Sequence, residues 1–413
     1  MDKVHESFLK ILRSALKGEL FSETLNLSPE QWQQLQELAI AHKVLPMVFE
    51  VVYQLPEFAG LPEYGLLKRN VFQQVMTQSM KTRDFLTLSK HLEQSGVTPL
   101  VVKGIICRNL YPQPDHRPSG DEDVLIPETQ FAACHSAMTA FGMQTGVTED
   151  RLEPEYEIPY HKNGSPLYIE LHKHLFPPES EAYGDLNRFF EGVFDRAVTE
   201  TIYGAPVCTM EYTDHLFYLI CHAFKHFLHS GFGIRQVCDI VVYANSYGSR
   251  VNWQKLLENC REIRAEVFAA AIFRLGENHL VFDREKACYP AIWSGIPVEE
   301  TAMLEDLLSG GVYGGATVSR KHSSNMTLDA LAAEKQGKKS GSGLRSSLFP
   351  PAKKLEGRYP YLKKHPYLLP AAWCHRIVKY KKETAKSEDN SALEAVKIGN
   401  HRIELLRQYG IIK

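Results

Sequence analysis

Three acidic residues of this 413-residue chain have the types and the spacing that could bind a divalent cation. Asp121 and Asp123 lie two residues apart, directly before the short apolar segment 124–126. Because side chains alternate along a β-strand, both carboxylates would point to the same face. Two carboxylates held together repel each other, and Mg²⁺ or Mn²⁺ relieves that repulsion. Taken alone, however, an Asp-x-Asp pair is more often part of a solvated loop.

The third acid, Glu170, lies in the segment LYIELH, residues 167–172. Its neighbours Ile169 and Leu171 are apolar, so the alternation of a strand places Glu170 on one face with Tyr168 and His172. If that strand pairs near the two aspartates, Glu170 completes a site of three carboxylates. The alternative is an acidic residue that faces solvent on a hairpin.

Several basic and glycine residues are candidates for binding phosphate groups. Gly104 follows an apolar segment, 97–102, and precedes an apparent helix, where backbone N–H groups can bind phosphate oxygens. Arg117 precedes the acids closely, although a surface loop arginine would look the same. His222, Lys225, His226 and His229 form a polar stripe on one helix. We predict that Lys225 and His226 line the site near phosphates; core or surface histidines are the alternative.

The surrounding pattern predicts an α+β protein with a small mixed β-sheet core between helical N-terminal and C-terminal regions. Asn163 and Gly164 separate two strand-like segments, which is a strong hairpin signal. We expect the following regions: a helical region 1–96, an α/β core 97–205, a helical domain 206–331, a flexible linker 332–347 and a C-terminal helical segment 348–413.

Composition excludes several classes of protein. Lys+Arg 47 against Asp+Glu 49 gives a net charge of −2, so no global basic field favours nucleic acid. The eight cysteines include no Cys-x-x-Cys pair, which argues against a zinc knuckle. The N-terminal residues carry charges throughout, and no apolar run is long enough to span a membrane. We therefore expect a cytoplasmic protein.

Taken together, these motifs resemble the DNA polymerase β-like nucleotidyltransferase superfamily. More narrowly, they are similar to the uncharacterised bacterial nucleotidyltransferase family NTP_transf_5, over roughly residues 30–380. The residues that carry this resemblance are Val102 to Gly104, Tyr111 and Pro112, Arg117 and Pro118, Gly120 to Ile126, and Ile169 to His172.

The resemblance implies that Asp121, Asp123 and Glu170 bind two Mg²⁺ (or Mn²⁺) ions about 4 Å apart and catalyse nucleotidyl transfer. Lys103, Gly104 and Gly120 would contact the nucleotide, with Arg117, Lys225 and His226 as the further candidates. The superfamily's usual Gly-Ser pair is replaced here by Gly104 and Ile105, so one serine contact to phosphate is missing.

The implied reaction moves a nucleoside monophosphate from a nucleoside triphosphate such as ATP to a hydroxyl-type acceptor. The sequence leaves that acceptor open among a small molecule, a peptide, a sugar and an RNA end. A catalytically silent relative that binds a nucleotide or a protein is the alternative, but such a relative has no need of three aligned carboxylates.

Overall fold

The computed structural model of the protein describes residues 1–229, 231–310, 318–335, 352–355, 359–384 and 392–413. The chain divides into two compact units. The first contains residues 1–223 and 233–300, and the second contains residues 224–232 and 301–413. The acids predicted to be catalytic all belong to the first unit.

The first unit is built on one six-stranded mixed sheet, which confirms the predicted α+β class. Its strands are β1 Leu100–Val102, β2 Glu122–Leu125, β3 Glu157–His161, β4 Tyr168–His172, β5 Val198–Ile202 and β6 Ala205–Thr209. They are ordered β3-β4-β2-β1-β6-β5. The pairs β1–β2, β3–β4 and β5–β6 are antiparallel, whereas β2–β4 and β1–β6 are parallel.

Two hairpins extend the sheet at its edges, and the sequence predicted one of them. The hairpin around Asn163 and Gly164 is confirmed as β3–β4, with Gly164 at φ 77°. The β5–β6 hairpin was not predicted. Its turn has Tyr203 at φ 50° and Gly204 at φ 80°, the two positive values that a tight hairpin turn uses. A bulky residue rarely adopts such a φ, so Tyr-Gly is a much weaker turn signal than Asn-Gly.

Helices surround this sheet. In the first unit they are α1 Lys3–Lys17, α2 Pro29–Ala41, α3 Leu45–Val52, α4 Pro56–Ala59, α5 Tyr64–Gln94, α6 Gly104–Arg108, α7 Phe131–Ala140, α8 Glu149–Leu152, α9 Tyr212–Leu228, α10 Ile234–Tyr247, α11 Trp253–Glu262, α12 Glu266–His279 and α13 Ala291–Ser294, with the last turn of α9 belonging to the second unit. Ser28 and Gln31 form a capping box at the start of α2.

One face of the sheet is closed by α5 and α7. Val124 of β2 and Ile169 and Leu171 of β4 share a small apolar cavity with Leu88 of α5 and Met138 of α7. All five side chains are buried. Because side chains alternate along each strand, Asp123 and Glu170 lie on the opposite face.

The described part of the second unit is helical. Its helices are α14 Thr301–Gly310, α15 Val318–Lys335, α16 Ala352–Leu355, α17 Leu369–Thr384 and α18 Ala392–Gln408. Residues 332–335 of the predicted linker belong to α15, and its residues 336–347 lie outside the described part of the chain. None of the described helices combines the length and the apolar character needed to cross a bilayer.

Candidate metal and nucleotide site

Strand register brings Asp123 and Glu170 together. In the parallel pair β2–β4 their Cα atoms are direct partners. His172, two residues after Glu170, points to the same face of β4. Asp123, Glu170 and His172 each offer one ligand atom, and these atoms lie within 4.8 Å of one another. The sheet therefore builds a cluster of two carboxylates and one imidazole from Asp123 on β2 and from two residues of β4 that are distant from it in the chain.

Asp121 lies directly before β2 and is half-buried. The cluster of ligand atoms found among the described residues does not include it. Its charge is nevertheless close enough to raise the pKa of Glu170. The structure thus brings Asp123 and Glu170 into contact range, sets Asp121 beside them, and adds His172. The sequence placed His172 on the face of Glu170 but did not identify it as a ligand.

Asp123 is held by two basic side chains. Lys103 Nζ lies 2.7 Å from Asp123 Oδ2, and His172 Nε2 lies 3.2 Å from Asp123 Oδ1. Burial favours the protonated acid, but the Lys103 charge and the His172 hydrogen bond outweigh it and hold the pKa of Asp123 well below its usual range. Asp123 is therefore an anion at neutral pH.

These residues fit a hard divalent cation. Asp123 Oδ2 is buried and, among the described residues, has an ion-pair partner but no aligned hydrogen-bond donor. A buried carboxylate oxygen in that state has a lone pair available for a metal. Two carboxylates match the oxygen preference of Mg²⁺ and Mn²⁺, and an imidazole ligand is better tolerated by Mn²⁺.

The pKa of Glu170 is shifted in the opposite direction to that of Asp123. Burial, followed by the negative charges of Asp121, Asp123 and Glu157, raises its pKa to about 7. A carboxyl with this pKa exchanges protons readily at neutral pH, as a general acid or base must. Such a shift is typical of functional sites, although structural clusters also produce it.

Lys103 reaches Asp123 from a strained backbone. Its φ of 67° lies in the left-handed region, which is unusual for lysine. The Lys103 N–H donates to His215 Nε2 at 3.0 Å, and Thr209 lies 3.2 Å from the other ring nitrogen. Burial lowers the pKa of His215 to about 3, so this imidazole is neutral and can accept the bond. The contacts of His215 hold Lys103 in the conformation that aims its ammonium group at the acids.

The turn at Gly104 is filled by a fourth acid, Glu122. A Cβ atom on Gly104 would lie 1.9 Å from Glu122 Oε2, and Gly104 has φ 32°, so only glycine fits. The Ile105 N–H donates to Glu122 Oε2 at 2.7 Å, and Arg108 NH1 lies 2.8 Å from Oε1. An N–H group at the start of α6 therefore already has a protein carboxylate as its acceptor. Phosphate binding by Gly104 stays a prediction.

Comparison with known proteins agrees with this geometry. Residues 28–280 match the family model described as uncharacterised nucleotidyltransferase, NTP_transf_5. The matched region contains the whole sheet and all the acids described above. The chain belongs to this nucleotidyltransferase family. The match ends at residue 280, so the resemblance predicted as far as about residue 380 is not supported beyond that point. No curated protein and no solved structure gave a significant match.

Arg117 has a structural partner. Its guanidinium donates to Asp239 Oδ1 from Nε at 2.8 Å and to Oδ2 at 2.5 Å, and Tyr111 donates to the same carboxylate at 2.7 Å. Arg117 and Asp239 are both almost inaccessible to solvent. Arg235, one turn before Asp239 on α10, donates instead to the carbonyl of Pro118.

Other cations surround Asp121 and were missed from the sequence. The charge of Asp121 acts on Lys43, Lys81 and Arg235. Lys81 Nζ donates to the carbonyls of Ser119 and Gly120, both at 2.7 Å, and so fixes the loop that carries Asp121. Lys43 is exposed. These cations come from α5, α10 and the end of α2, so the spacing of the 101–126 segment holds no signal for them.

The remaining predicted nucleotide contacts are placed as follows. Gly120 is exposed, and a Cβ atom added there would meet nothing within 4 Å. Lys225 and His226 lie in the last turn of α9, which belongs to the second unit. Their contact with the nucleotide stays a prediction.

Proposed function

We propose that the protein transfers a nucleoside monophosphate from a nucleoside triphosphate to a hydroxyl group, with Mg²⁺ or Mn²⁺ as cofactor. The observation that carries the proposal is the cluster of Asp123, Glu170 and His172 with Asp121 beside it. Family membership supports nucleotidyl transfer in general. The metal, the triphosphate donor and the hydroxyl acceptor are inferred from the donor set.

In this proposal Asp123 and Glu170 hold the metal, with Asp121 as a further carboxylate. A bound divalent ion supplies positive charge to the oxygens of the attacking and leaving groups. The acceptor oxygen forms a bond to the α-phosphorus, and the bond from that phosphorus to the bridging oxygen breaks. Pyrophosphate leaves, and the acceptor's proton passes to water, because a Glu170 that holds the metal loses the raised pKa of the metal-free cluster.

Cations of the chain bind the triphosphate. Lys43 is the first candidate, since it is exposed and lies within electrostatic range of Asp121. Lys103 is the second, because binding of a metal to Asp123 frees its ammonium group for a phosphate oxygen. Arg117 is not part of this set, since its guanidinium is buried and pairs with Asp239.

Incubation with each α-labelled nucleoside triphosphate, Mg²⁺ and a cell extract tests the proposal. The expected result is an extract component that becomes labelled by the native protein and not by the Asp123→Asn variant. Mass spectrometry of the labelled component then identifies the acceptor. Equal labelling by both proteins would show that Asp123 has no catalytic role.

A catalytically silent nucleotide-binding relative is the second candidate, and one observation favours it. Lys103 already provides Asp123 with a cation at 2.7 Å, as a lysine does where it replaces a metal permanently. The two candidates differ in metal binding. Mn²⁺ displaces Lys103 in the enzyme and does not bind in the silent relative.

A further inference from the structure

An open groove of about 550 Å³ lies along α5 and ends at the loop before Asp121. Its polar wall consists of Asn70, Gln73, Gln74, Thr77 and Gln78. These residues share one face of α5, because they recur at helical spacing. Pro118 and Ser119 close one end, and Ser119 is two residues from Asp121. The volume is in the range of natural ligand sites.

The groove is almost uncharged. Among the lining residues that the structure describes, the one charged side chain is Lys81, whose ammonium already donates to two backbone carbonyls. A nucleic acid would bring a row of phosphates that this wall does not neutralise. Side-chain amides and a threonine hydroxyl both donate and accept hydrogen bonds, which suits a ligand whose hydroxyl groups do the same.

Gln78 lines the groove and contacts the loop that precedes Asp121. Gln78 is 2% exposed, and its Oε1 accepts the Ser119 N–H at 2.8 Å. Gln78 Nε2 is buried and has no hydrogen-bond partner within the described part of the chain. An unsatisfied buried donor is costly, and a ligand oxygen that reached Gln78 at this end of the groove would satisfy it. This is where a ligand would approach the loop of Asp121.

The rest of the lining is apolar and consists of Leu67 on α5, Ile40 and Leu45 on α2 and α3, and Pro118. A sugar has both features that such a groove requires, C–H faces for the apolar wall and hydroxyl groups for the amides. From Asn70 to Lys81 the helix rises about 16 Å, which is longer than a single sugar ring. The length favours an extended ligand.

From these contacts we infer that the groove binds the acceptor, and that the acceptor is an uncharged oligosaccharide or polyol whose terminal hydroxyl reaches the loop of Asp121. This inference rests on the proposed nucleotidyl transfer and names the class of molecule that receives the nucleotide.

The test offers three classes of acceptor to the full-length protein with Mg²⁺ and α-labelled ATP or another triphosphate. The acceptors are a panel of neutral oligosaccharides, a serine- and threonine-containing peptide, and an oligoribonucleotide with a free 3′ hydroxyl. We expect label on a member of the saccharide panel. Label on the peptide or the RNA alone would overturn the inference and leave the proposed transfer intact.

A groove variant links the activity to this surface. Gln74→Leu keeps the size of the side chain and removes its hydrogen bonds, so the KM for the saccharide should rise about tenfold, the cost of roughly one lost hydrogen bond. The Kd for Mn²⁺ with ATP should not change. Gln34→Leu, on the exposed side of α2, is the matched control and should leave both constants unchanged.

The outcomes separate the two claims. An unchanged saccharide KM in both Gln74→Leu and Asn70→Leu would place the acceptor elsewhere and overturn the inference. Absence of transfer to every acceptor, together with equal Mn²⁺ binding by the native protein and Asp123→Asn, would instead overturn the proposed function. Absence of saccharide transfer and of saccharide binding, with Mn²⁺ binding intact in the native protein, would overturn the inference alone.

Discussion

Glu122 and Asp123 are neighbours on β2, yet they have very different surroundings. Glu122 points to one side of the strand, where Arg108, the Ile105 N–H and the Ser119 hydroxyl all contact its carboxylate. Asp123 points to the other side, where Lys103 and His172 hold it beside Glu170. Glu122 is satisfied by fixed partners of its own chain, whereas Asp123 lies among acids whose repulsion a metal can relieve.

The difference shows that a run of acids in a sequence can contain two roles. Glu122 makes the turn at Gly104 stable and so positions Lys103. Lys103 in turn forms the ion pair with Asp123. A substitution on the Glu122 side should therefore act on folding, and one on the Asp123 side should act on metal binding and transfer.

The largest expected effect is the loss of transfer in Asp123→Asn. The amide removes the charge that binds the metal, so the rate of nucleotide transfer should fall by about three orders of magnitude. Folding should be retained, with a smaller loss of stability than in Glu122→Gln, because relief of the repulsion from Glu170 offsets part of the lost ion pair with Lys103. Labelled transfer and far-ultraviolet circular dichroism measure the two effects. Full activity, or an unfolded variant, would assign Asp123 a structural role.

The next effect is the loss of stability in Glu122→Gln. Arg108 and Glu122 side chains are each 1% exposed, and removal of one charge leaves the other buried and unpaired. The free energy of unfolding should fall by about 3 kcal/mol in urea titrations. Glu128→Gln, at an acid that is 65% exposed, is the control and should change it little. A larger loss in Asp123→Asn than in Glu122→Gln would reverse the comparison.

A smaller effect concerns the pH dependence of stability in metal-free buffer. The pKa of Glu170 is about 7 in the folded protein, above its ordinary value of 4.5, so the folded state binds the proton more tightly. The free energy of unfolding should therefore fall by about 1–2 kcal/mol as pH rises from about 4.5 to 7, and it should stay level above pH 7. The fall is modest because Glu170 is partly exposed to solvent. Glu170→Gln should remove this fall. Parallel pH curves for both proteins would show that the charge of Glu170 is not under strain.

The smallest expected effect is on metal affinity, and it tests whether His172 is a metal ligand. If its imidazole binds the metal, His172→Asn should weaken Mn²⁺ binding about tenfold and Mg²⁺ binding less, since Mg²⁺ prefers oxygen ligands. Calorimetric titration with each ion measures this. An equal loss for both ions would mean that His172 acts by orienting Asp123 through their 3.2 Å hydrogen bond.

The sequence predicted the parts of the site that depend on local pattern. Strand alternation placed Glu170 with His172, and the Asn-Gly turn predicted the β3–β4 hairpin, both of which the structure confirms. The register between neighbouring strands could not be predicted from local sequence pattern. The segment 121–123 gives no indication that β2 pairs in parallel with β4, because that pairing depends on the whole sheet. It is this pairing that places Asp123 beside Glu170.

Partners of charged residues were the least predictable feature. Arg117 was expected to contact phosphate, but Asp239 lies 122 residues away in sequence and pairs with it. The sequence analysis did not assign a role to Glu122, which lies between two aspartates. Its carboxylate is nevertheless the group that a Cβ atom on residue 104 would meet. Long-range ion pairs leave no periodic signal in a single sequence, so helices, strands and turns were predicted better than the pairing of their charges.

Electron paramagnetic resonance can measure Mn²⁺ binding directly. This measurement, made with and without a non-hydrolysable nucleoside triphosphate, tests the central claim most directly. We predict that the native protein and Gln34→Leu bind Mn²⁺, that the nucleotide tightens this binding, and that Asp123→Asn loses it. A native protein that does not bind Mn²⁺ even with nucleotide would contradict the claim, and the pair of Lys103 with Asp123 would then be the permanent state of a silent relative.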